Sequence, residues 1–313
     1  MKGIARSEDP LIARNEAAEY AMGSSTSPSK DDAFPSDFAV MSTFGATSGG
    51  GVARQAATLE SGQTHKWFAN WLSGHGFRVE RDRIGNPFAF LELIPGAPYV
   101  LAGSHLDSQP RGGKFDGAYG VLAAAHAAVR VQENYRRTGA RAAANIAVVD
   151  WFNEEGSRVK PSMMGSAVFT GKLDLEEALT TTDGAGATVR EALSGIGELG
   201  STVIGLESVA VAAYVEIHIE QGKILGKRSN GYRPGCVYVG GEQARDFSPW
   251  HTGAYGRCRH GRPSGRPLWR GIDGGRRPRG RRQVSGAVAQ LVRAVDRVPK
   301  LSKRHCRPGL YVR

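Results

Sequence analysis

His105, Asp107 and Asp116 sit in one glycine-rich stretch, G-S-H-L-D-S-Q-P-R-G-G-K-F-D-G, running from Gly103 to Gly117. Imidazole nitrogens and carboxylate oxygens are donors that zinc, manganese and cobalt accept in hydrolytic sites. His105 and Asp107 stand two apart at the end of an apolar run, so on a strand they share one face. Such a His can bind an ion through one ring nitrogen while the Asp holds the other. Asp116 follows in a turn whose glycines let the backbone bend close to an ion. A polar turn capped by aspartates would use the same residue types. The decision therefore rests on what the rest of the chain delivers to the same place.

Two more groups of this kind follow. Asn153-Glu154-Glu155-Gly156 closes an apolar run, and adjacent carboxylates at the end of a buried strand are costly unless something compensates their charge. One could bind an ion while its neighbour stays free as general base. Glu216-Ile217-His218-Ile219-Glu220-Gln221-Gly222 closes another apolar run, and alternation places Glu216, His218 and Glu220 on one face. A lone strand His is more often a core residue than a ligand. Three strand ends that each deliver His or carboxylate point instead to one metal site, because ligands of open α/β sheets gather at the carboxyl ends of strands. Two ions about 3.5–4 Å apart, bridged by one Asp, would activate a water for hydrolysis.

The elements that must position these groups read as an α/β chain. Helical spacing runs over 56–73 and ends at glycines. Strand-like runs follow at 77–80, 88–93 and 99–103. An Ala-rich helix is expected over 118–131. Continuous apolar runs at 145–152 and 211–219 mark strands buried on both faces. Shorter helices fit 162–170 and 188–194, and strands alternating with helices indicate an α/β sheet. Residues 1–35 are polar and show no period, so they are expected to form a mobile lead. No apolar run approaches the roughly 18 residues that span a bilayer. The opening M-K-G-I-A-R-S-E-D-P has no signal-peptide core, so a soluble, cytoplasmic protein is expected.

Charge divides the chain near Gly226. Residues 227–313 carry 21 Lys and Arg against 4 Asp and Glu, a balance of +17, whereas residues 1–226 balance at −6. Cys236, Cys258 and Cys306 all lie in the basic part. Three are too few for a disulfide framework and suit a reducing compartment. Gly and Pro interrupt this part every few residues, and only 284–298 has a helical pattern. Low periodicity with high charge predicts a poorly ordered segment. A basic, Trp-containing segment could also bind nucleic acid through phosphates, but charge alone is weak support and Cys258 and His260 fit no zinc-finger spacing.

With these motifs on the page, the chain resembles the hydantoinase/carbamoylase-type amidases, binuclear-metal hydrolases related to aminoacylases and to zinc exopeptidases. The resemblance rests on G-S-H-L-D-S-Q-P-R-G-G-K-F-D-G-A-Y-G-V-L, N-E-E-G-S-R with P-S-M-M-G-S, and E-I-H-I-E-Q-G, helped by R-Q-A-A-T and D-R-I-G-N. It covers about residues 41–226. It implies a mixed-sheet aminopeptidase-like catalytic domain over 36–226, holding two divalent ions, Zn2+ or else Mn2+ or Co2+. It implies that His105 and His218 bind one ion, Asp116 bridges both and Glu155 binds the second. Glu154 would be the general base, Asp107 would orient His105, and Gln221 would face the substrate. The implied reaction is hydrolysis of a non-peptide carbon–nitrogen bond in an N-carbamoyl amino acid, a ureido acid or allantoate. A dipeptidase or aminoacylase of the wider clan is the nearest alternative.

The resemblance also implies a homodimer joined through a smaller lid domain, and a last His ligand beyond it. Residues 227–313 carry neither motif in recognisable form, which argues against that dimer contact. Arg245 stands about where the lid His belongs, and His251, His260 and His305 have no matching context. Codons for Ala244–Ala254 can be chosen that read A-G-L-L-P-M-A-H-R-R in another frame, close to the lid motif. Frameshifting of a GC-rich gene would also turn Ala codons into Arg codons. The nucleotide sequence tests this: the idea fails if no other frame extends the resemblance past Gly226.

Overall fold

The structure is a computed structural model that describes residues 33–139, 142–219, 232–234 and 310–312. Helix α1 spans Ala33–Met41 and buries Phe34, Phe38 and Met41. It begins inside the stretch read as a lead, so the boundary drawn at residue 35 cuts a packed helix. Its three buried residues span too short a stretch to show a period in the sequence. Helix α2 (Leu59–Gly74) starts where the Thr58 side chain accepts the Ser61 N–H, a capping bond that satisfies one orphan donor of the first turn. It buries Phe68 and Leu72 but also Thr64 and His65.

A five-stranded sheet forms the centre, in the order β1 (Arg78–Arg81), β2 (Pro87–Leu91), β4 (Asn145–Asp150), β3 (Tyr99–Ser104), β5 (Val211–Val215). The pairs β1/β2 and β2/β4 are antiparallel, while β4/β3 and β3/β5 are parallel. This is the mixed α/β sheet that the sequence predicts. Between β3 and β4 runs α3 (Ala118–Thr138), longer than its expected span. Between β4 and β5 the chain forms α4 (Met164–Phe169), α5 (Leu175–Thr180) and α6 (Val189–Gly195). Helix α5 was not anticipated; Asp174 caps it through the amides of Glu176 and Glu177.

The period-2 rule sorts the sheet's side chains into two cores. Ala89, Leu91, Val100, Ala102, Ile146, Val148, Ala213 and Val215 pack beneath α1, α2 and α3 with Phe68, Leu72 and Leu122. Phe88, Phe90, Leu101, Ala147, Val149 and Trp151 face the other way and meet Phe169 of α4. Burial of β2, β3 and β4 on both faces explains their near-continuous apolar text.

The run read as one strand over 211–219 breaks at Glu216. Its second part, β6 (Ile217–Ile219), leaves the central sheet and pairs antiparallel with β8 (Leu310–Val312), which pairs parallel with β7 (Tyr232–Pro234). The short strands β7 and β8 were not foreseen, since three residues cannot show alternation. The cysteines, Glu220, Gln221 and the expected 284–298 helix lie outside the described residues.

Candidate metal centre

The topology makes a crevice where the chemistry-bearing residues meet. Strand β3 lies between β4 and β5, so the chain leaves β3 and β4 toward different neighbours, and ligand sites form at such switch points. His105 follows β3 directly, Glu154 follows β4 and His218 lies in β6 just beyond β5.

Three of the expected ligands converge. One atom each from His105, Asp116 and His218 lies within 4.8 Å of the others, so all three could hold a single ion. The Nε2 of His218 is 3.2 Å from Asp116 Oδ1, and the Nε2 of His105 is 3.9 Å from the same oxygen. The other nitrogen of each ring is occupied by backbone. His105 Nδ1 is 2.9 Å from the Asp107 carbonyl, and His218 Nδ1 is 2.9 Å from the Ile219 carbonyl. A carbonyl only accepts, so each neutral ring carries its proton on Nδ1 and turns a bare Nε2 toward Asp116. That is the tautomer a metal ligand needs. The donor set therefore fits a divalent ion.

Asp107 lies beside His105 and also grips the neighbouring turn. Its carboxylate is 3.5 Å from His105 Nδ1, whereas its backbone carbonyl makes the close contact. Its two oxygens accept the backbone N–H groups of Glu154 at 3.1 Å and Glu155 at 3.2 Å. Asp107 thus ties the loop after β3 to the turn after β4. The Glu154 carboxylate reaches the site, with Oε2 3.5 Å from His105 Nε2. Glu155 lies outside the trio, and its Oε2 accepts a 2.8 Å hydrogen bond from Gln109.

Close packing allows this convergence. Gly117 has φ +61°, and an added Cβ would sit 2.5 Å from the Cδ2 and Cε1 of His105, so the chain passes over the imidazole only as glycine. At Gly120 a Cβ would meet the Ile217 carbonyl at 2.2 Å, so α3 and β6 approach through a missing side chain.

The field of the site favours positive charge. Burial works against a proton on His105, but Glu154, Asp107 and Asp116 outweigh it and hold its pKa well above the ordinary value. A bound metal cation would take the place of that proton. Burial pushes the Glu154 carboxyl up; His105 opposes this, and Asp107 and Glu216 add to it. Burial also raises Glu155, against the Gln109 hydrogen bond.

Other residues support the site, and Glu216, which alternation sets on the face of His218, is among them. Glu216 accepts hydrogen bonds from Ser104 Oγ at 2.8 Å and Tyr214 Oη at 2.9 Å, and Trp151 Nε1 donates to that same Tyr214 oxygen. Buried Arg54 donates from Nε to the Leu106 carbonyl at 2.8 Å. Asp82 and Asn86 form a brace: Asn86 Nδ2 donates to Asp82, and Asn86 Oδ1 accepts the Phe152 N–H just before the paired glutamates. Arg54 and this brace lie in R-Q-A-A-T and D-R-I-G-N, short texts that say nothing of what they touch.

Comparison with known proteins identifies the neighbourhood. No protein-family model matches the chain. It is 39% identical over 186 residues to an N-carbamoyl-L-amino-acid amidohydrolase of Rhizobium meliloti, covering 59% of this chain and 43% of that one. A crystal structure of a hydantoinase/carbamoylase family amidase from Burkholderia ambifaria superposes with a TM-score of 0.59 at 41% identity, over 64% of this chain and 48% of that one. The relatives are hydantoinase/carbamoylase family amidases. An allantoate amidohydrolase of Bacillus subtilis matches at 33% identity over 59% of this chain and 44% of its own. Identity reaches 58% over 202 residues, 64% of this chain, with a protein of Mycolicibacterium smegmatis described as a hydrolase, of which 46% is covered. The chain spans about half the length of the curated relatives it matches.

Proposed function

We propose that the chain carries the catalytic half-site of a metal-dependent amidohydrolase acting on a linear carbon–nitrogen bond of an N-carbamoyl or ureido compound, in the cytoplasm. The observation that carries this reading is the convergence of the two Nε2 atoms on Asp116 beside Glu154. His105, His218 and Asp116 would hold one divalent ion, with Asp116 also reaching toward a second near Glu155. Such ions polarise a scissile carbonyl and acidify water. Glu154 takes the proton of the attacking water and delivers it to the leaving nitrogen as the carbon–nitrogen bond breaks. Asp107 keeps Glu154 and Glu155 at the mouth of the site through their amides. Gln221 contacts substrate. Zn2+, Mn2+ and Co2+ all suit these donors.

The proposed organisation is a lead that gives way to helix α1 at Ala33, the catalytic part from there to residue 226, and 227–313 in the place of the lid through which relatives of this type would dimerise. The test is hydrolysis of N-carbamoyl-L-amino acids, allantoate and dipeptides by the full chain with each metal supplied. Turnover of the first two over dipeptides supports the reading. Turnover of dipeptides alone favours an aminoacylase-like enzyme. Salt-dependent binding of DNA with no metal-dependent turnover favours a basic binding protein.

A further inference from the structure

A chain of buried charge ends on the backbone between the two residues that anchor the site. His65, on α2, has carboxylates at both ring nitrogens: Nε2 is 3.0 Å from Asp150 Oδ2 and Nδ1 is 2.9 Å from Glu198 Oε2. Glu198 also pairs with Arg81. His65, Asp150 and Glu198 are 6%, 2% and 7% exposed, so none has water to fall back on. Asp150 turns its other oxygen away from His65 and accepts the Leu106 N–H at 2.7 Å. Arg54 grips the opposite side of the same residue, donating from Nε to the Leu106 carbonyl. Leu106 lies between His105 and Asp107, so both backbone polar groups of the residue that follows His105 end on buried charged side chains.

We propose that the Arg81–Glu198–His65–Asp150 chain, with Arg54, positions the His105 loop and thereby sets how tightly the site binds a divalent ion. His65 acts as a cation between two carboxylates: Nδ1–H donates to Glu198, and Nε2 faces Asp150 as an ion pair. It keeps the Asp150 carboxylate pointed at Leu106, and Glu198 holds His65 in turn. An uncompensated Asp150 would be costly in this core, and the side chain would shift. That shift releases the Leu106 N–H and lets His105 swing from Asp116. These residues touch neither ion nor substrate. They are positioning residues, and partners of this kind change metal affinity about 10–100-fold when altered.

The inference rests on the metal-site reading above, so the experiment has two readouts, both on the full-length chain. Zinc affinity is measured by chelator competition for the wild type and for His105→Ala, His65→Gln, Glu198→Gln and Asp183→Asn. The last breaks the Arg158–Asp183 pair (3.0 Å apart) away from the chain and controls for lost stability. Amide hydrogen exchange at Leu106 is measured on the same proteins without metal. His65→Gln is expected to weaken zinc binding tenfold or more and to speed Leu106 exchange selectively, with Glu198→Gln showing a smaller change in the same direction. Asp183→Asn should change neither. Glu198→Gln, at the far end of the chain, carries the test if His65→Gln does not fold. Zinc affinity within twofold of wild type and unchanged Leu106 exchange in the chain variants overturn the proposal, as do equal effects in Asp183→Asn. If the wild type binds zinc no better than His105→Ala, the site reading fails, and Leu106 exchange alone then judges the positioning chain.

Discussion

Oδ1 of Asp107 accepts the backbone N–H of Glu154 at 3.1 Å. This bond, with its companion to Glu155, joins the end of β3 to the end of β4 through a 5% exposed carboxylate. An Asn at this position would offer one acceptor and one donor where two acceptors are needed, and its amide would face a backbone N–H. Asp107→Asn should lower stability by about 1–3 kcal/mol, the cost of stranding a buried polar group. Urea unfolding checks this, and a change within about 0.5 kcal/mol would show that the two bonds contribute little.

The Glu154 carboxylate reaches His105, with Oε2 3.5 Å from Nε2. Glu154→Gln keeps its size and removes its basicity. Turnover of the best substrate should fall about 10²–10⁴-fold, the usual range for a lost general base, while bound metal per chain stays at the wild-type level. Equal loss of metal and activity would make Glu154 a ligand instead.

Gly117 can be tested by a single methyl group. Gly117→Ala puts a carbon against the His105 ring at a positive φ. The strained backbone costs on the order of 1 kcal/mol before any clash is counted. The variant should unfold at lower temperature and bind zinc more weakly than wild type. Scanning calorimetry with and without zinc reads both, and an unchanged zinc-induced shift would contradict the contact.

His65 gives stability a definite pH dependence. Burial would lower its pKa, but the carboxylates of Asp150 and Glu198 outweigh burial and the Arg81 charge, so the folded value lies above the unfolded one. The folded state then binds the proton more tightly. Its stabilisation is complete below the ordinary His range near 6.5 and is lost as pH rises through the raised folded value. His65→Gln should remove this decline in stability on the alkaline side of 6.5. Parallel pH profiles for the two proteins in urea unfolding would refute it.

The apolar runs made most of the fold legible. Residues 145–152 announce a strand buried on both faces and 99–103 a strand-like run, and the structure places β4 and β3 there, adjacent and parallel. His105 and His218 drew notice because each sits at or just past an apolar run with a donor no core needs, and Asp116 because it follows in a glycine-rich turn. Helix α1 was not, because Phe34, Phe38 and Met41 become a packing face only once α3 and α2 supply the other side. The work of Asp107 was hidden for a similar reason. Spacing sets it beside His105 in the stretch after β3, but the amides it grips arrive from residues 154 and 155. Arg54, His65, Asp150 and Glu198 are scattered over the chain, and only folding makes them neighbours.

The most direct test of the metal centre is the number of divalent ions held per chain after exhaustive dialysis, measured by elemental analysis on the wild type, His105→Ala and His218→Ala. The account predicts one tightly held ion in the wild type, a second that dialyses away because its last ligand is not recognisable, and none in either variant. Retention of the tight ion by both variants, or no ion in the wild type after zinc loading, would contradict it.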